Sequence, residues 1–555
     1  IPPIVCTLPL FPAANALGLQ DTHAWLAILY ATFFVSLGTF VMRAFIDQIP
    51  RELEEAAAVD GAGRLRTLFR VIAPLAAVWA KAGPAVRFGP AEWAALRFTL
   101  LQAALSAALS VLLAIPLARA LARSRFWGRD VTIMLLGAPF ILPVIVAVLG
   151  LIAIFGQNGL LNDGLRALGF EPLSIYGLQG VLLAHVFFNL PLATRMILLG
   201  WATIPQERLR LGQSLDLRGF ARFRLIEFPM LMTVLPSAVV VIFVICLSSF
   251  TVALALGGGP KSTTLELAIY QAFRFDFDFA KAALLGLVQL GVSALAAVFA
   301  LGFAWGHQLG IGLDRPIALG RHSTLQKYLD GVVIGAALLF LGLPLLLVLG
   351  NGLGSVTSLP AAVWMAALRS VLIALGATAL CMLLSLSLLS RGGEAIATLG
   401  ITVSPLVLGT GLFLIARPYV NPFEISLWVT LCVNALMSLP FAVRILRPEM
   451  SQVDANFRWL SASLGLSRLG WWRWVVWPRL RRPFGFAAGL TAALSMGDLG
   501  VIALFGDAER ATLPLKLYQL MGSYRMEQAA GCASLLLILS FGFFWVFDFL
   551  GRRNA

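Results

Sequence analysis

The chain has 555 residues, 59% of them hydrophobic and 12% charged, with a formal net charge of +14. Soluble domains carry about 25% charged residues. Apolar runs long enough to cross a bilayer recur along this chain, which excludes a soluble enzyme and a soluble nucleic-acid-binding protein and predicts an all-α, polytopic membrane protein. The arginines lie in short polar stretches between those runs, where positive-inside bias puts them, so no nucleic-acid partner is expected. The five cysteines (Cys6, Cys246, Cys381, Cys432 and Cys532) contain no C-x-x-C pair and the four histidines show no ligand spacing, so neither metal nor cofactor is expected.

Residues 1–80 read as a unit of their own. A candidate span at 24–42 is followed by Glu55-Ala56-Ala57, then Gly61, then Val71-Ile72-Ala73-Pro74. This stretch resembles the cytoplasmic loop of ABC-importer permeases, whose pattern is E-A-A, three residues, G, nine residues, I-x-L-P. The Leu17-Gly18-Leu19-Gln20-Asp21-Thr22 run and Asp60-Gly61-Ala62 are most similar to sugar-type permeases. The unit creates a topological conflict. Its loop should be cytoplasmic, and the next span, near 97–118, should start outside because Arg119, Arg123, Arg125 and Arg129 follow it. Yet residues 75–96 hold no apolar run of about 20 residues. Residues 1–80 are therefore expected to be a partial permease segment joined by fusion, with a genuine extra span and a re-entrant connection as the alternative. The chain starts at Ile1 in apolar sequence with no visible signal peptide, and reads as a fragment or fusion at that end.

From residue 97 the pattern is regular. Candidate spans fall near 97–118, 131–154, 178–199, 230–256 and 281–306, then near 330–350, 363–389, 396–416, 425–446, 484–505 and 528–550. With the span at 24–42 the expected number is about 12. Two stretches repeat. Leu190-Pro191-Leu192-Ala193-Thr194-Arg195 returns as Leu439-Pro440-Phe441-Ala442-Val443-Arg444, and Phe228-Pro229 as Trp477-Pro478, always 249 residues on. Each repeat brackets a basic, helix-compatible loop too polar for hydrocarbon. Thr264/Thr512, Tyr270/Tyr518 and Gly258/Gly506 extend the match at an offset of 248. A period of this size in apolar sequence means a duplicated membrane domain, with halves expected at 93–310 and 325–551, related by a pseudo-twofold along the membrane normal.

The repeated loops are versions of the motif at residues 55–74. Gly465 precedes Pro478 by the 13 residues that separate Gly61 from Pro74, while the equivalent position before Pro229 is Asp216. The run Gly257-Gly258-Gly259-Pro260-Lys261-Ser262 fails as a P-loop, because proline precedes the lysine and no strand leads into it. No ATPase site is therefore expected, and the energy source must be a separate subunit or an ion gradient.

Several stretches resemble the fused-dimer ABC importer permeases, closest to the thiamine permeases. They include Tyr176-Gly177-Leu178-Gln179-Gly180, Leu183 to Pro191, Thr264 to Ala272, and Gly497 to Gly506. The resemblance covers about residues 93–550. It implies a non-enzymatic permease subunit in a bacterial inner membrane, importing thiamine or its phosphate esters. It also implies a periplasmic binding protein and two copies of a cytoplasmic ATPase as partners. The ATPases would grip helices near 207–220 and 456–470, through Glu207, Arg208, Leu211, Gly212, Asp216 and Leu217, and through Leu460, Ser461, Gly465 and Leu466. Polar groups in spans are costly and often functional. His185, Asn189, Asn434 and Asp498 are thus pathway candidates, with Phe250 as an aromatic neighbour able to stack on a thiazolium cation. Gln289 is weighed with them. For His185, Asn189, Asn434 and Gln289 the competing reading is interhelical hydrogen bonding. Three functional alternatives stay open: an iron(III) importer permease, an ion-coupled secondary transporter, and a non-functional fusion product.

Overall fold

The computed structural model describes residues 88–304, 324–389 and 404–552, apart from positions 125, 130–131, 134–135, 138–140, 203, 205, 216, 218, 260–261, 417–419, 422 and 507–508. The segment 1–80, its proposed span and its E-A-A motif lie outside the described residues. Within them the protein is helical, and ten helices are long and apolar enough to cross a membrane.

The first half contains α1 (Pro90–Arg123), α2 (Val144–Phe155), α3 (Leu160–Ala167), α4 (Leu178–Ala202), α5 (Gln206–Ser214), α6 (Gly219–Arg222), α7 (Phe228–Leu247), α8 (Phe250–Leu256), α9 (Leu265–Arg274) and α10 (Phe279–Ala304). Then come α11 (Thr324–Gly352), α12 (Ala361–Ser387), α13 (Pro405–Ala416), α14 (Ser426–Ser463), α15 (Arg468–Gly470), α16 (Trp477–Gly497), α17 (Gly500–Phe505), α18 (Leu513–Gly522) and α19 (Met526–Arg552). Elements α1, α2, α4, α7, α8, α9 and α10 recur in order as α12, α13, α14, α16, α17, α18 and α19. In both halves a π-helical turn (Phe223–Glu227; Trp471–Val476) leads into the proline-started helix. That proline sits in the first turn, where a missing N–H leaves no bond unmade.

Several expected boundaries change, and the spans placed at 131–154 and 396–416 begin their continuous helices only at Val144 and Pro405. The span placed at 230–256 is two helices, α7 and α8, separated by Ser248 and Ser249. That at 484–505 starts earlier and breaks at Asp498 and Leu499. That at 425–446 does not stop, because α14 runs 38 residues through Pro440 and Pro448 into the basic loop.

The halves interlock. Helix α11 has no counterpart among the described residues of the first half, yet it packs on α1 and α2 of that half as well as on α19. Its Pro344 backbone lies so close to Gly150 of α2 that a Cβ there would sit 2.6 Å from the Pro344 carbonyl oxygen. Arg123 at the end of α1 donates to Asp330 of α11 at 2.5 Å, with both side chains largely buried. Further out, Phe413 of α13 meets Phe273 of α9 edge-on at 4.5 Å, stacks on Phe279 of α10 at 5.2 Å and touches Phe505 of α17 at 5.6 Å. Edge-to-face and offset rings are the favoured aromatic geometries, and this cluster joins the two halves.

Candidate functional site

Two pairs of matching features, each with one member in each half, make up the candidate site. The first pair is the helix breaks. Unwinding two residues inside an apolar bundle frees backbone carbonyls that lipid cannot satisfy. Buried side-chain amides do so here. Gln102 of α1 donates to Cys246 O at 2.9 Å, and Gln289 of α10 donates to Leu247 O at 2.9 Å. In the second half Asn434 of α14 donates to Ser495 O at 3.2 Å and to its hydroxyl at 3.0 Å.

The polar residues singled out from sequence gather at these breaks. His185 is buried, with Ser106 of α1 against Nδ1 at 2.8 Å and Ser249 in the first break against Nε2 at 2.6 Å. Asn189, one turn on, donates to His185 O at 2.9 Å and to Cys246 Sγ at 3.3 Å. Asn434 occupies the position of His185 in the second half, 249 residues later. These three side chains therefore all bond neighbouring helices or their own. Phe250 opens α8 and is buried against Tyr270 of α9, with centroids 5.2 Å apart. Asp498 stands apart. Its Oδ1 accepts from Gly500 N–H at 3.2 Å, while its Oδ2 is enclosed and has no hydrogen-bond partner.

After each break a short helix, α8 or α17, packs on α2 or α13 respectively. The helices that follow are started by a hydroxyl from the corresponding spans α1 and α12. Thr99 Oγ1 accepts from Leu265 N–H at 2.8 Å, and Ser370 Oγ accepts from Leu513 N–H at 2.7 Å. Helix starts leave four N–H groups without intrahelical partners, and a buried start needs such acceptors. This matched pair was not read from sequence; two hydroxyls inside apolar spans were its only signal. A second unread residue is Glu266 on α9. It is fully buried, with Gln289 donating to Oε1 at 3.4 Å and with Oε2 unpartnered. The hydroxyl of Ser404, from the second half, lies against it.

The second pair of features is the basic loops. In the first, Glu207, Arg208, Leu211 and Gly212 lie on α5; in the second, Leu460 and Ser461 lie on the last turns of α14. Both helices stop in the same way. Leu217 N–H donates to Gly212 O at 2.9 Å, and Leu466 N–H donates to Ser461 O at 3.1 Å. This is the Schellman arrangement, which needs a left-handed residue just before the donor; Gly465 provides it with φ +62°. The equivalent sequence position is Asp216, outside the described residues. Both stops present a leucine pair to solvent: Leu211 and Leu215 are 59% and 63% exposed, Leu460 and Leu464 55% and 66%. Gly212 lets α5 lie close on the π turn below, since a Cβ there would fall 2.5 Å from Ile226 Cδ1.

Beneath the first loop sits a charge cluster. Glu227 is buried and accepts from Arg119 Nε at 2.7 Å, with Arg222 Nε 3.7 Å from its other oxygen. Burial pulls the Arg222 guanidinium below its ordinary value. Glu227 opposes that shift, and Arg119 and Arg123 add to it. The second half has Val476 in place of Glu227.

Duplicated spans, matched breaks and matched loop stops define a two-half membrane permease. Comparison with known proteins makes this specific. The thiamine transport system permease protein ThiP of Brucella abortus (strain 2308) is 39% identical over 482 residues, covering 84% of this chain and 89% of the relative. That of Escherichia coli (strain K12) is 40% identical over 488 residues, covering 83% and 90%. The chain belongs to this family of thiamine transport system permeases. Residues 1–102 also match the family described as binding-protein-dependent transport system inner membrane component. Over 73 residues, 13% of this chain and 26% of the relative, it is 41% identical to the inner membrane ABC transporter permease protein YcjP of E. coli.

Proposed function

We propose that the chain is the permease subunit of an ABC importer in a bacterial inner membrane. It takes thiamine, or a thiamine phosphate, from a periplasmic binding protein and releases it to the cytoplasm. The carrying observation is likeness to thiamine permeases along most of the chain. That likeness favours thiamine over iron(III) as cargo. The unit 1–80 is proposed as a partial permease segment preceding two permease halves at 93–310 and 325–551; the family match over residues 1–102 supports a permease segment at this end.

Two copies of a separate ATPase dock on the leucine pairs Leu211/Leu215 and Leu460/Leu464, with Glu207 and Arg208 at the rim. Exposed apolar pairs are costly in water unless covered, and their recurrence at equivalent positions fits two identical partners on a twofold. ATP closes the ATPases and swings the halves, and hydrolysis resets them. Coupling requires that ATP and the loaded binding protein each favour one conformation by differential binding. Asp498 is the residue proposed to meet the cargo. Its unpartnered oxygen at a helix break suits a cationic thiazolium, and Phe250 at the other break offers a ring face as the halves part. His185, Asn189 and Asn434 hold the broken helices in register around that path.

The test of docking is co-purification. Leu211→Asp with Leu460→Asp should release the ATPase while the permease stays monodisperse. Retention of the ATPase at wild-type stoichiometry would refute these pairs as its seat.

A further inference from the structure

The two halves differ sharply at one place. From Trp471 to Arg482 the second half carries four tryptophans and four arginines in twelve residues. At the equivalent positions 222–233 the first half has two arginines, a glutamate and no tryptophan. In particular Arg479, Arg481 and Arg482 stand where the first half has Met230, Met232 and Thr233. Duplicated halves need the same proline-started helix here. They do not need this charge.

The side chains form a surface. Trp474 on the π turn and Trp477 at the start of α16 are 67% and 43% exposed, and Arg473, Arg479 and Arg482 are exposed beside them. Arg473 lies over the Trp474 ring at 5.4 Å. Arg479 is held in place, stacked 3.9 Å above Phe457 and donating to Val475 O at 3.0 Å. Between the end of α14 and the start of α16 runs an open groove of about 340 Å³. Arg479 and Arg482 line one side of it, and Glu449, Gln452 and Asn456 the other. Arginine forks match phosphate oxygens, and tryptophan prefers the depth of lipid headgroups. Both occur here at the start of a helix long and apolar enough to cross a membrane.

We propose that this groove is a binding site for the phosphate headgroup of an anionic phospholipid, built on arginines and tryptophans that the first half does not carry at the equivalent positions. The lipid's phosphate sits between Arg479 and Arg482, and its chains lie along the exposed faces of Trp474 and Trp477.

The test uses the full chain purified in detergent and exchanged with equal amounts of phosphatidylglycerol and phosphatidylcholine, with bound lipid counted by native mass spectrometry. Wild type should retain phosphatidylglycerol preferentially. An arginine near an anionic surface contributes roughly fivefold, so Arg479→Met with Arg482→Thr, the first-half residues, should weaken retention about thirtyfold. Arg479→Lys with Arg482→Lys should keep most of it. Should the first variant misfold, Trp474→Leu with Trp477→Phe gives a milder, independent loss. Equal retention of both lipids, or retention unchanged in the arginine variant, would overturn the proposal. So would full displacement by millimolar inorganic phosphate, which marks a site for free phosphate, or loss of the preference once the ATPase is bound, which marks the groove as the ATPase's own contact.

Discussion

At the scale of single residues, Asp498 and Gly465 carry different kinds of argument. Asp498 has one oxygen bonded to Gly500 N–H and one without a partner. An enclosed carboxylate oxygen left unbonded costs about 1–3 kcal/mol, which a cationic cargo would offset. Asp498→Asn keeps the shape and removes the charge. The concentration of thiamine giving half-maximal uptake should rise at least fivefold, with permease and ATPase still co-purifying; unchanged uptake would contradict the assignment. Gly465 is a backbone requirement. A β-branched residue in the left-handed region costs about 1–2 kcal/mol, so Gly465→Val should weaken ATPase binding. Gly465→Asp should be tolerated, because aspartate visits that region more readily and the first loop carries Asp216 at the same position. Pull-down of the ATPase at graded concentrations separates the two variants. His185 was legible as unusual from sequence. That it would lie between two serines, one of them in a helix break, was not, because the partners are 79 and 64 residues away.

At the scale of elements, spans were legible because hydropathy over about 20 residues reflects the bilayer's thickness. The breaks at Ser248–Ser249 and Asp498–Leu499 were not, since the flanking sequence is as apolar as an unbroken span. The continuation of α14 was hidden for a different reason: the apolar run ends near residue 446 and Pro448 follows, a helix-breaking signal that the helix absorbs. A small-residue contact was also missed. Gly485 and Gly489, four apart on α16, lie against α19 so closely that a Cβ at Gly485 would sit 2.6 Å from Phe547 O, and one at Gly489 2.8 Å from Phe544 O. Spacing of this type lets membrane helices approach at backbone distance. The first half has Pro236 and Val240 there, so the repeat gave no hint. Gly489→Leu should lower the unfolding midpoint of the purified permease by several degrees, whereas Val240→Leu should leave it nearly unchanged.

At the scale of the whole molecule, duplication was readable from the constant offset of 249, and it extends to loop stops, helix breaks and hydroxyl-capped helix starts. The same offset shows where the halves depart in composition; what it could not reveal is which of those departures build contacts. The Arg119–Glu227–Arg222 cluster has no equivalent carboxylate in the second half, and the tryptophan–arginine surface has none in the first. Nor could it reveal the seating of α11 against the opposite half, fixed by Gly150, Pro344 and the Arg123–Asp330 pair. Removing one partner of a buried ion pair costs about 3–5 kcal/mol. Asp330→Ala should therefore destabilise the permease markedly in thermal unfolding, and more than removal of the exposed Asp163 that pairs with Arg166 on α3. The central claim, import of thiamine driven by a separate ATPase, is tested most directly by uptake. Labelled thiamine is supplied to cells lacking their own importer that co-express this chain with its binding protein and ATPase. The account predicts accumulation that disappears when the ATPase is inactivated. Accumulation that persists without ATP hydrolysis, or none at all from a complex that still assembles, would contradict it.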